Sequence, residues 1–143
     1  MSEAVETLVK FCNDYYLAGI VDGEGCINIY FTTRKNKRDY HLSLAISNTN
    51  EDLIMFLYFK YKGHVIKIRR PRDNTKDLFT IRWFGNEAKE ILRIIEDKVI
   101  VKKNQVKLAL EFPLNKKRES IHFSIDENKR REVIYTKIKE LNK

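Results

Sequence analysis

The chain combines segments of helical hydrophobic periodicity with segments in which apolar and polar residues alternate. Residues 3–22 predict a helix with a break near Asn13, because apolar residues recur at three- and four-residue spacing and Ser2 is a suitable N-cap. The stretches 26–34 and 39–47 alternate and are rich in β-branched and aromatic residues, which predicts a hairpin joined by a polar turn.

A second helix and a second hairpin follow along the chain. Asn48 and Glu51 fit a capping box for a helix over about 51–62, which stops at the next glycine. A second hairpin is predicted from the strands 64–70 and 78–84, which flank a polar, proline-containing turn.

Three further helices are predicted in the C-terminal part. Asn86 would cap a helix that runs to about Lys98, residues 102–112 form another helix that a proline ends, and Ser124 opens a last helix to about Leu141. The order α-ββ-α-ββ-α-α-α predicts an α+β domain, in which helices cover one face of an antiparallel sheet.

The alternation divides the predicted sheet into an apolar face and a polar face. In the third strand it assigns Ile66 and Ile68 to the core and Lys67 and Arg69 to the polar face. The other polar-face positions carry amide, hydroxyl, imidazole and basic groups: Asn28, Tyr30, Thr32, Arg34, His41, Ser43, Ser47, Thr80 and Arg82. An ordinary solvated face is the plain alternative. However, strands can lie in the DNA major groove, where Arg and Lys read guanine and Asn reads adenine.

Charge supports a polyanion partner for this face. The 143 residues include 28 basic and 20 acidic ones, which gives a net charge of +8. Residues 1–25 hold one basic and five acidic residues, whereas 26–47 hold four and one, and 64–84 hold six and two. The positive charge is therefore concentrated in the two hairpins.

Composition excludes several classes of protein. Hydrophobic residues make up 43% of the chain, which excludes a disordered or low-complexity protein. Neither a membrane span nor a signal peptide is expected. Cys12 and Cys26 lack metal-ligand spacing and are expected to be reduced thiols.

One short motif carries the strongest chemical signal. Residues 17–25 read LAGIVDGEG and join the first helix to the first strand. Ala18 and Gly19 have little side-chain bulk, so a second helix could approach closely. Asp22 and Glu24 place two carboxylates beside a cationic sheet. They would repel a bound phosphate unless a divalent metal lay between them. The alternative is two solvated acids at a helix end.

These nine residues resemble the signature of the LAGLIDADG homing endonucleases. The resemblance covers about residues 10–112 of a single domain over 1–143 and treats 113–143 as a helical extension. It implies an αββαββα fold with a saddle-shaped sheet. It also implies a site-specific endonuclease that promotes mobility of its host intron. Because the motif occurs once, the resemblance implies a C2 homodimer that reads a long pseudo-palindromic double-stranded DNA site.

The resemblance also assigns roles to the motif. Glu24 would bind the catalytic metal, with the carbonyl of Gly23 as a further ligand. Asp22 would hold the helix end, and together with Ala18 and Gly19 it would lie at the dimer interface. The metal would be Mg²⁺, for which Mn²⁺ or Ca²⁺ could substitute, and it would activate water to leave 5′-phosphate and 3′-hydroxyl ends.

A basic and polar group of residues surrounds the metals in this family. Lys102 matches a lysine near the start of a late helix, with Lys103 as the second choice, and either could be an ordinary surface lysine. Asn50 follows the second strand, where some members carry an amide, but it could equally cap a helix.

DNA contacts are expected from the polar face and its turns. The residues assigned to DNA binding include Arg38 and Arg70 in addition to the polar-face positions named above. Basic residues of the turns are expected to touch phosphates: Lys35, Lys37, Arg70, Arg72 and Lys76.

Other functions remain as rivals. His41, His64 and His122 are scattered, which argues against a zinc or HNH-type nuclease. An RNA maturase that aids intron splicing, a non-cleaving DNA-binding regulator and a ribosome-associated RNA-binding protein all fit a basic α+β domain. The host organism, target sequence and compartment, whether organellar or archaeal, stay open.

Overall fold

Four antiparallel strands form one sheet with the order β1-β2-β4-β3. A computed structural model describes residues 2–71, 75–114 and 125–143. The strands are β1 (Gly25–Arg34), β2 (Lys37–Asn48), β3 (His64–Ile68) and β4 (Leu78–Phe84). The helices are α1 (Glu3–Phe11), α2 (Asp14–Glu24), α3 (Glu51–Tyr61), α4 (Gly85–Ile95), α5 (Lys103–Glu111) and α6 (Ile125–Leu141). The predicted α+β class and order of elements are confirmed.

The helices cover one face of the sheet, as the alternation predicts. Ile27, Ile29, Leu42, Leu44 and Ile81 are buried on that face and belong to one hydrophobic cluster with helical residues. The opposite face is exposed along β1, where alternate residues are open to solvent. Within the described residues, no helix is long and apolar enough to cross a membrane.

The N-terminal helix is divided where the sequence predicts a break. Asn13 begins α2 by accepting hydrogen bonds from the backbone N–H groups of Tyr15 and Tyr16. The predicted end at residue 22 is too early, because the helix includes Gly23 and Glu24. Gly25 takes the C-cap position, where an added Cβ would lie 2.7 Å from the Val21 carbonyl oxygen. Only a glycine lets β1 start so close to the helix.

Several predicted boundaries differ from those of the structure. The first hairpin turns at Lys35 and Asn36, both with positive φ, so β2 starts at Lys37 instead of residue 39. Phe84 instead of Asn86 occupies the N-cap of α4, and its side chain makes no capping bond. The helix predicted over 102–112 spans Lys103–Glu111. The predicted Ser124 cap and residue Arg72 lie outside the described residues.

Candidate nucleic-acid interface

The β1–β2 register aligns most of the predicted polar positions on one face. Asn28 pairs with Ser43 and Tyr30 with His41, while Ser47 of β2 pairs with Thr80 of β4. Directly paired residues share a face. Thr32, Arg34 and Arg82 therefore stand on the same side. We call this surface the polar face: Asn28, Tyr30, Thr32, Arg34, His41, Ser43, Ser47, Thr80 and Arg82.

Side chains on the polar face are ordered by one another. The Tyr30 ring stacks on His41 with centroids 5.2 Å apart, and the Thr32 hydroxyl lies 3.0 Å from His41 Nε2. The Ser47 and Thr80 hydroxyls are hydrogen-bonded at 2.7 Å. Ser43 and Thr80 are only 8% and 3% exposed, so the longer side chains of the polar face offer most of the contact surface.

The structure does not place every predicted DNA-binding residue on this face. Arg38 pairs with Thr33 on the helical side, where its guanidinium lies 4.4 Å from the Phe31 ring centroid. Lys67 pairs with Phe79, also on the helical side, and forms a 3.3 Å ion pair with Asp77. The assignment of Lys67 to the polar face is wrong, because β3 has the opposite facing from the prediction. The DNA-binding roles of Arg38 and Lys67 stay predictions.

Two arginines and two lysines flank the strands. Arg69 and Arg70 follow the end of β3 and are exposed outside the ladder, so the alternation does not fix which way they point. Lys35 and Lys37 lie at the tip of the first hairpin, and Lys37 pairs with Arg34. The hairpin tip is therefore strongly cationic, as a surface near phosphates would be.

Glu24 stands exposed at the end of α2, directly before the first strand of the sheet. Its Oε2 accepts a 2.6 Å hydrogen bond from Asn48 Nδ2. The Oδ1 of Asn48 accepts from the backbone N–H of Asn50 at 2.7 Å, which fixes the orientation of the Asn48 amide. One carboxylate oxygen of Glu24 is thus held by a donor, and Oε1 is available on the exposed side chain.

Asn48 is a residue that the sequence analysis missed in this role. The capping box was assigned to Asn48, but Asn50 is the N-cap of α3, and its Oδ1 accepts from Leu53 N at 3.1 Å. Asn50 therefore serves as the helix cap, while its assignment to the active site stays a prediction. Asn48 lies two residues beyond Ile46, the partner of Gly25, which places its side chain beside the end of α2.

Asp22 anchors the segment that precedes α5. Its Oδ2 accepts from the backbone N–H of Ile100 at 2.7 Å, and its Oδ1 accepts from those of Val101 and Lys102 at 3.1 and 3.0 Å. Burial acts to raise the pKa of this carboxyl, but these hydrogen bonds outweigh it and the pKa lies below its ordinary value. The three hydrogen bonds that the Asp22 carboxylate accepts here all come from backbone N–H groups.

Lys102 is brought to the same end of α2. Its Nζ donates to the backbone carbonyl of Asp22 at 2.7 Å, two residues before Glu24. Lys103 is exposed in the first turn of α5. Lys102 is thus joined to Asp22 at the end of α2, while its assignment to the active site stays a prediction.

The outer face of α2 carries small residues. An added Cβ at Gly19 or Gly23 would meet no atom within 4 Å, so both glycines face open space. Ala18, by contrast, is 2% exposed and packs into the core of its own chain, and its assignment to a dimer contact stays a prediction. Beside this face, Ile100 and Val101 are 80% and 73% exposed.

Comparison with known proteins agrees with the fold and the motif. A family model described as LAGLIDADG endonuclease matches residues 17–109, which is more than half of the chain. The chain therefore belongs to the LAGLIDADG endonuclease family, and the resemblance drawn from its motif is confirmed. A search of curated proteins found no match.

Several solved structures share the fold at low identity. The archaeal intron-encoded homing endonuclease I-Vdi141I, complexed with DNA, is similar with a TM-score of 0.73 and 15% identity, over 91% of this chain and 84% of that chain. The homing endonuclease I-TnaI gives 0.62 and 16%, over 92% and 96%. I-CvuI, in complex with the I-CreI target, gives 0.57 and 24%, over 69% of this chain and 64% of that one. The match thus spans slightly less than two thirds of that I-CvuI chain.

Proposed function

We propose that this chain is a site-specific homing endonuclease. As a homodimer it binds a long pseudo-palindromic DNA site. It hydrolyses both strands with Mg²⁺, leaves 5′-phosphate and 3′-hydroxyl ends, and so promotes mobility of a host intron. One observation carries the proposal. An exposed carboxylate, Glu24, is held by Asn48 where the motif helix joins the first strand of a sheet whose open face is cationic and hydrogen-bonding.

The position of this carboxylate argues for metal-dependent cleavage instead of binding alone. A pure polyanion binder gains nothing from an acid beside its phosphate-binding surface, because the acid repels phosphate. An acid that shares a divalent cation with phosphate oxygens is favourable. The family membership and the DNA-complexed structures of similar fold support the same reading.

The oxygen ligands that one chain offers fit Mg²⁺ when DNA and a second chain complete its coordination. In the described part of the chain, no group of three or more His, Cys, Asp or Glu side chains could hold a metal. Mg²⁺ usually takes one or two carboxylates, and phosphate oxygens and waters complete its octahedron. Glu24 would supply a carboxylate. Gly23, in the last turn of α2, would supply a carbonyl without an intrahelical partner.

The bound metal would activate a water for attack on the scissile phosphate and stabilise the leaving oxygen. Asn48 would keep the Glu24 carboxylate turned toward the DNA. Asp22 would hold Lys102 at the same place through the carbonyl and carboxylate contacts described above. The ammonium of Lys102 would then stabilise negative charge on the phosphate. Similar structures obtained with Mg²⁺ and with Ca²⁺ agree with divalent-metal use.

The outer face of α2 supports a homodimer built on this helix. Gly19 and Gly23 lie four residues apart on one side, where close approach of a second backbone is sterically free. Ile100 and Val101 flank this side as exposed apolar groups. Two chains packed there by a two-fold axis would bring their Glu24 residues together and would duplicate the DNA-binding face.

Sedimentation velocity tests the homodimer. The Gly19→Leu change should shift the chain from dimer to monomer without loss of fold, because the added side chain meets only solvent in the monomer. Ala4→Leu on the exposed side of α1 is the matched control and should leave the dimer intact. A Gly19→Leu protein that stays dimeric would place the interface elsewhere.

Cleavage of a randomised duplex library tests the enzymatic proposal. Wild type and the exposed-surface control Glu6→Gln should cut discrete sequences in Mg²⁺, whereas Glu24→Gln should bind the same sequences without cutting. Tight RNA binding without DNA cleavage would instead indicate a maturase. Specific DNA binding without cleavage by any of the proteins would indicate a regulator.

A further inference from the structure

An apolar patch interrupts the polar face on its outermost strand. β3 is an edge strand, and all five of its residues are exposed. Its register pairs Ile66 with Thr80 and Ile68 with Leu78. Because Thr80 lies on the polar face, Ile66 and Ile68 point away from the helices, with 48% and 45% of their surface exposed.

The core of the chain does not account for this patch. Ile66, Ile68 and Leu78 belong neither to the buried hydrophobic cluster nor to the residues that pack against it, within the described residues. The helices lie on the opposite side of the sheet, against residues such as Ile81 and Trp83. The patch therefore faces whatever the polar face binds.

The charge around the patch indicates the same partner as the rest of the face. His64 and Arg82 are paired at one end of β3, and Arg69 and Arg70 follow the strand at its other end. An apolar group bordered by cations on a DNA-binding strand would sit over base edges while the cations reach phosphates. In the major groove, the only apolar group on a base edge is the C5 methyl of thymine.

We propose that Ile66 and Ile68 select thymine at the base pairs beneath β3 by packing against its C5 methyl group. This rests on the proposed DNA-binding function and specifies what one strand of the interface reads. The opposite facing of β3, with Lys67 and Arg69 outward, would instead predict a preference for guanine there.

Replacing single thymines by deoxyuridine tests the proposal, because it removes only the methyl group. A target is first selected from a random duplex library by binding in Ca²⁺, and Kd is measured for each thymine-to-uracil change. Loss of one well-buried methyl contact should weaken binding by about fourfold. We expect such losses at one or two positions in each half-site.

Three variants assign those losses to residues. Ile66→Thr and Ile68→Thr keep the β-branched shape but leave only one methyl group, and each should lower the ratio of Kd for the uracil site to Kd for the thymine site toward one at its own position. Val65→Thr is the matched control, because Val65 is also exposed, at 37%, but lies on the helical side, paired with Ile81. It should leave every ratio unchanged.

The outcomes distinguish failure of thymine selection by β3 from failure of the proposed DNA-binding function. Suppose that wild type binds a selected site, but neither isoleucine variant changes the ratio of Kd for uracil to Kd for thymine at any position. The thymine proposal is then overturned and the DNA-binding function stands. The same holds if Val65→Thr has the larger effect. If wild type selects no DNA sequence, both are overturned.

Discussion

Replacing Asp22 with asparagine should detach the segment before α5 from the end of α2. The carboxylate accepts three backbone N–H groups from Ile100, Val101 and Lys102. Asparagine keeps one acceptor oxygen but presents an NH₂ group to the Ile100 donor. One bond is therefore lost, and the two others lose their charge.

The expected magnitude follows from these bonds. A lost bond at a partly solvated site is worth about 1 kcal/mol, and each bond that becomes neutral loses about 0.5 kcal/mol. The free energy of unfolding should therefore fall by about 2 kcal/mol. For a domain of this size, that lowers Tm by about 6–10 °C. All comparisons need one protein concentration, because dimerisation would also contribute to apparent stability.

The pH dependence gives a second readout. The folded-state pKa of Asp22 lies below its ordinary value of 3.8, so its contribution is fully present above that value and is lost as the pH falls through the folded-state pKa. The gap between wild type and Asp22→Asn should therefore narrow below about pH 4.

Glu96→Gln provides the control, because it removes one exposed charge from the same region and should leave Tm and its pH dependence nearly unchanged. Chemical denaturation and thermal melts measured from pH 3 to pH 7 are the assays. An Asp22→Asn protein within about 0.5 kcal/mol of wild type at pH 7, with an unchanged pH profile, would refute the reasoning.

Three further changes test the site and its support. Asn48→Leu removes the donor to Glu24 and should slow Mg²⁺-dependent cleavage by about 10- to 100-fold, with little change in DNA affinity in Ca²⁺; equal losses in both assays would contradict a positioning role. Gly25→Ala should lower the free energy of unfolding by about 1–3 kcal/mol, because the added Cβ would lie 2.7 Å from a backbone oxygen, while Gly19→Ala should not. Arg131→Met should cost about 2 kcal/mol in chemical denaturation, because a buried guanidinium of α6 no longer serves the backbone of β2.

The elements with strong periodicity could be predicted from sequence. β1 and β2 alternate cleanly because one face is buried, so Ile27, Leu42 and Leu44 identify the core without ambiguity. The break at Asn13 follows from its capping chemistry. The motif at residues 17–25 identified the family because its spacing is specific.

Positions set by tertiary contacts could not be predicted. Val65, Ile66 and Ile68 support either facing of β3, because this edge strand buries neither face and its register is imposed by β4. The contact between Asn48 and Glu24 joins residues 24 positions apart. It depends on how the folded sheet places the end of β2 beside the end of α2, which neither residue signals in the sequence.

The anchoring role of Asp22 could not be predicted either, because it also depends on tertiary contacts. Its three backbone partners lie about 80 residues away in the chain, and their N–H groups carry no sequence signal. The resemblance suggested a structural role for Asp22 but gave no partner. The structure supplies the partner and thereby links the motif helix to Lys102.

Mapping both cut ends on the selected DNA site tests directly whether this chain is a metal-dependent homing endonuclease. Wild type in Mg²⁺ should make one cut in each strand. The two cuts should be related by the two-fold axis of the site, with 5′-phosphate ends, and Glu24→Gln should bind the same site and make neither cut. Cleavage by Glu24→Gln at the wild-type rate, or specific binding by wild type without any cut, would contradict it.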